Sequence, residues 1–138
     1  MIKNKKGFTL IELLIVIAII TILAAAIVVG INPGQRFRAA RNATRWSHMN
    51  SIATAVYSYA VENAGAFPGC IPLVTDTPPT TTATSCTSDL VATYTTAIPD
   101  PPLVNEGEQY VLERTAQGGI KITSTAQEAI DEGVELTQ

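Results

Sequence analysis

The sequence predicts an α+β fold: a long N-terminal helix, apolar in its first half and amphipathic in its second, packed against a small antiparallel β-sheet. Three observations predict it. Residues 8–31 form a nearly unbroken apolar run. Apolar side chains then recur at three- and four-residue steps from Trp46 to Ala60. Two alternating segments within about 110–125 flank Gly118-Gly119, as hairpin strands flank a turn.

The apolar run comes first. Phe8 to Ile31 carries sixteen Phe, Leu, Ile or Val residues and only three polar ones, Thr9, Glu12 and Thr21. The 19 residues from Leu13 to Ile31 make a helix of about 28 Å, close to the hydrocarbon thickness of a bilayer. Sixteen such side chains favour insertion by about 5–10 kcal/mol, and one off-centre carboxylate does not reverse that. The run is too long for a cleaved secretory signal, although an uncut signal anchor fits its length. Glu12 is the odd residue. A lone carboxylate in such a segment is a functional candidate by default; the alternative is simple solvation among the headgroups.

The flanks differ in charge. Through Met49 there are seven basic residues and one acid; from Asn50 on there are two basic residues and eleven acids, giving the net −3. A basic stem and an acidic head meet different neighbours, and an acidic head argues against nucleic-acid binding there.

Gly30, Pro33 and Gly34 interrupt the helix near 30–34, as a kink or as a segment able to extend. A second helical segment covers 35–65, ending near Gly65. Its apolar stripe is Trp46, Met49, Ala53, Val56 and Ala60, widened by Ile52 and Tyr59, and it requires a partner surface in the head. Arg38, Arg41 and Arg45 follow a similar spacing on another face. They suit a contact with acidic residues of another subunit or with DNA, or a solvated basic face. His48 is the single histidine and has no ligand neighbours nearby, so no metal is expected there.

The head covers 66–138. It opens with a Thr/Pro/Ser-rich loop, 70–86, bounded by Cys70 and Cys86. An even cysteine count in the polar half fits a disulfide formed outside the cytoplasm, closing a loop and contributing about 3 kcal/mol; two free buried thiols are the alternative. Ser88 to Tyr94 is expected to form a short helix capped by Ser88. Pro99 to Pro102 is irregular. In the hairpin, Tyr110 and Leu112 alternate with Val111 and Glu113, and Ile120 and Ile122 with Lys121 and Thr123; its expected place is against the Trp46–Ala60 face. The acidic tail from Gln127 is expected to fray.

One stretch carries a family likeness. Lys5-Lys6-Gly7-Phe8-Thr9-Leu10-Ile11-Glu12-Leu13-Leu14-Ile15-Val16 closely resembles the prepilin signature shared by type IV pilins and the pseudopilins of type II secretion and competence systems. The resemblance implies a pilin-like fold and a leader, 1–7, cut after Gly7 by a prepilin peptidase, with Phe8 then N-methylated. It implies that 8–34 first spans the inner membrane, with the head outside the cytoplasm, and then lies in a filament core. The partners implied are membrane lipid, other copies of the chain, and an inner-membrane assembly platform with its motor. Glu12 would pair with the freed Phe8 amine of a neighbouring subunit, a contact that gains roughly 4 kcal/mol before desolvation at an effective dielectric near 20. A comparable loop in major pseudopilins holds calcium; here Asp100, Glu106 and Glu108 are the candidates, although their spacing matches no defined calcium loop.

The sequence shows no nucleophile–base pair, phosphate loop or metal cluster, and no cofactor is expected. The expected function is a structural filament subunit; the alternatives are a pseudopilin and, in another class, a monomeric domain tethered by the same anchor.

Overall fold

The computed structural model describes residues 7–71, 81–102 and 107–138. Most of the expected leader, most of the Thr-rich loop and Glu106 lie outside the described residues. Two compact units are present, residues 1–37 and 38–138.

The first unit contains α1, Leu10–Ile31. No residue of α1 is buried, and apart from Glu12 and Thr21 its side chains are apolar all round. Such a helix cannot satisfy itself in water; it is long and apolar enough to cross a membrane. The expected interruption at 30–34 is narrower in the structure. Gly30 stays in α1 and Gly34 lies in the next helix, α2, Pro33–Glu62. Only Asn32 leaves the helical conformation, at φ 46°, a left-handed setting that Asn tolerates better than most side chains. Its carbonyl accepts from the N–H groups of Gln35 (3.1 Å) and Arg36 (3.4 Å), and Pro33, which has no N–H to lose, opens α2.

The second unit is the head, built around most of α2. This helix ends where Gly65, at φ 86°, donates to the Ala60 carbonyl at 2.8 Å, the left-handed stop expected of glycine. Its buried face is Asn42, Arg45, Met49, Ile52, Ala53, Ala55, Val56 and Ala60. Trp46, expected to begin the core stripe, is instead 40% exposed, and its neighbour Arg45 takes the inward position at 0%. The true stripe thus starts with polar residues that no hydrophobic periodicity could register.

A four-stranded antiparallel sheet completes the head, in the order β1 (Thr81–Thr82), β2 (Tyr110–Arg114), β3 (Ile120–Ser124), β4 (Glu135–Thr137). The expected hairpin is β2–β3, with Leu112 opposite Ile122 and Arg114 opposite Ile120. Gly118, at φ 90°, supplies the turn, and a side chain at Gly119 would collide with the Gln138 backbone. Leu112, Ile120 and Ile122 share one core with Met49, Ile52 and Val56 of α2, each such side chain contributing about 1.5–3 kcal/mol by burial.

Two other expectations for the head, for the tail and for Ser88, need correction. The tail does not fray: Gln127–Asp131 forms α4, and β4 pairs with β3 while Val134 and Leu136 enter the core. Ser88 caps nothing; a 3₁₀ turn, Ala83–Cys86, runs directly into α3, Thr87–Leu90, whose N-cap position is Cys86. Cys70 and Cys86 are joined, and Cys86 is fully buried, so the bridge forms part of the core rather than a surface staple.

Candidate functional site

The N-terminus of α1 is organised by Thr9 and Glu12. Thr9 is the N-cap: its Oγ1 accepts from the Glu12 N–H at 3.3 Å. In return Glu12 Oε2 accepts from the Thr9 N–H at 2.8 Å and from the Thr9 hydroxyl at 2.7 Å. Two helix-end donors are satisfied reciprocally, and an acid in the first turn also faces the positive end of the helix dipole. These bonds give Glu12 donors but no positive partner: among the described residues it makes no ion pair. Phe8, immediately before the cap, is 87% exposed, so the Gly7–Phe8 bond is open to approach.

The basic face of α2 divides. Arg38 is exposed. Arg41 grips Glu128 of α4 with two bonds of 2.7 Å, from Nε and Nη2. Arg45 reaches Glu128 at 2.5 Å, Glu108 at 3.2 Å, the Asn42 side chain at 2.7 Å and the Pro102 carbonyl at 3.2 Å. Asn42 donates to Glu132 at 2.6 Å. Arg45, expected on a face offered to partners or solvent, is therefore spent inside the head. Burying a guanidinium is tolerable only with counter-charges and bonded N–H groups, and this cluster supplies both, Nε alone lacking a partner. Sequence reasoning missed it because the acids lie 63 and 83 residues from Arg45.

The charges shape one another. The Arg41 guanidinium, then burial acting in opposition, then Arg45 set the Glu128 carboxyl, with a net depression to about 2. The bond to Glu128 raises Arg41 further above its already high value. Burial pushes the Tyr110 hydroxyl up to about 12; that hydroxyl sits 2.9 Å from His48 Nδ1. His48 is thus a structural neighbour of the sheet. Of the calcium candidates, Glu108 faces Arg45, Asp100 is exposed, and Glu106 lies outside the described residues.

The order of residues around the Thr9–Glu12 cap is decisive when set beside known proteins. The family described as "Prokaryotic N-terminal methylation motif" matches residues 2–28. This is a prepilin-type amino terminus. The motif is typical of type IV pilins and pseudopilins. No curated protein and no solved structure matches it. The motif implies processing by a prepilin peptidase and pilus-type assembly, and with α1 it points to the inner membrane and then a surface filament.

Proposed function

We propose that the prepilin-type chain is a structural subunit of a type IV pilus-like extracellular filament. The supporting observation is the coincidence of the methylation motif with an apolar helix that buries nothing of itself and carries one carboxylate that has no cation among the described residues. Cleavage at Gly7–Phe8 frees the amine of Phe8, the residue immediately before the Thr9–Glu12 loop. Methylation of that amine keeps its positive charge. Once α1 leaves lipid for the company of other α1 helices, a charge pair between Glu12 of one subunit and Phe8 of the next fixes axial register, because any other register leaves the carboxylate unpaired. Arg38, exposed near the junction of the two units, is available to acidic heads of neighbouring copies.

A pseudopilin is the second reading. It is favoured by the irregular Pro99–Pro102 stretch ahead of the β2–β3 hairpin, a layout that suits the major pseudopilins. The test is to express the chain with its peptidase and assembly machinery and to compare native with Glu12→Ala. Sheared surface fractions are imaged and their intact mass is taken. The filament reading expects fibres of a chain starting at Phe8 from the native protein, and membrane-inserted but unpolymerised chain from the variant. A mass starting at Met1, or indifference to Glu12→Ala, points instead to a tethered monomer.

A further inference from the structure

Every residue from Gly7 to Ala40 is exposed. Arg41 is the first that is not. Together with Asn42 and Arg45 it makes the first side-chain bonds, among the described residues, that reach from α2 to a distant part of the chain. Before that point α2 is held by its own backbone bonds, and a helical segment of two turns is marginal in water without tertiary packing. It also starts badly, at left-handed Asn32 and with Gly34 in its first turn. After the cluster, the next inward anchor is the fully buried Met49.

We propose that the Arg41–Asn42–Arg45 cluster is a stop for helix unwinding: residues 33–40 open and reclose, and the helix is fixed from Arg41 onward. Unwinding one turn further would break both bonds between Arg41 and Glu128. Continuing through Arg45 would bring a fully buried guanidinium out of its pocket and leave Glu128 with neither cation. Opening of 33–40 strands no charge, because Arg36 and Arg38 are exposed and make no ion pair among the described residues. The cost of unwinding therefore rises abruptly at one turn. The stop operates in the single chain, whether or not the chain polymerises.

Hydrogen exchange on the full chain in detergent micelles tests this. Amides of residues 37–40 are expected to exchange about a hundredfold or more faster than those of Ile52 to Val56. In Glu128→Ala the amides of residues 45–48 join the fast group, accelerating about tenfold or more, while Leu112 and Ile122 keep their protection. Arg41→Ala, the milder change, moves the boundary by about one turn. The proposal is overturned if residues 37–40 are as slow as 52–56 in the native chain. It is equally overturned if neither variant moves the boundary. It also fails if Leu112 and Ile122 accelerate as much as 45–48 in both variants, since the cluster would then stabilise the whole head rather than set a limit.

Discussion

Glu12 in the stem and Arg45 in the head are both charges set among hydrocarbon, one on a helix that buries nothing and one at 0% exposure in a packed core. Arg45 is neutralised within its own chain, by Glu128 and Glu108, with Asn42 and the Pro102 carbonyl taking further N–H groups. Among the described residues Glu12 receives only neutral donors, the N–H and hydroxyl of Thr9. Hydrogen bonds make a carboxylate tolerable near the membrane surface, but they leave its charge unbalanced. The buried charge of the head is thus neutralised within its own chain, and among the described residues the carboxylate of the stem is not. This difference is the physical basis for reading one region as a folded unit and the other as a piece awaiting neighbours.

The comparison can be broken first at Glu12. Glu12→Ala is expected to abolish filaments altogether while leaving the head's urea unfolding curve unchanged; a shifted midpoint would show that the two charges are not independent. Next comes Arg45→Ala, expected to destabilise the head by about 3–5 kcal/mol, because it takes a fully buried guanidinium away from Glu108 and Glu128 and empties its place in the core. Circular dichroism against urea measures it, and a loss below 1 kcal/mol would contradict the internal neutralisation described above. Opening the Cys70–Cys86 bridge with Cys86→Ser is expected to cost about 3 kcal/mol by the same measurement.

Acid gives a subtler test. Glu128 is held near 2, below its ordinary 4.5. Its contribution to stability is fully present above the ordinary value and is lost as pH falls through the depressed one. Head stability should therefore decline between about pH 5 and pH 2, and Glu128→Gln should flatten that part of the profile. The smallest effect belongs to Arg38→Ala. Arg38 is exposed, so head stability should change by less than about 0.5 kcal/mol.

Much of the fold was legible locally. The apolar period of Met49, Ile52, Val56 and Ala60 marked the inward face of α2, and the alternation around Gly118-Gly119 marked β2–β3, because both signals lie within a few residues of one another. Asn32 was less visible than the glycines and proline around it, yet it alone takes the left-handed turn, since Pro at the first helical position and Gly inside a helix are both tolerated. The tail was misread for a different reason. Its acids suggested a solvated end, but Glu128 and Glu132 are the partners of Arg41, Arg45 and Asn42. Charge on a short segment carries no label for a counter-charge some 80 residues away, and three-residue β4 is too short to display a period. Of the candidate site, the cap and Glu12 could be read because they sit inside one turn; the ion cluster could not.

Trp46 was displaced to the surface when Arg45 took the inward position, and it is the single tryptophan of the chain. The residue is 40% exposed, one position from the ion cluster. The protein therefore carries its own fluorophore on the outer side of α2. A subunit that docked there would shift the emission to the blue and shield it from iodide quenching, so polymerisation could be followed in real time with no label attached.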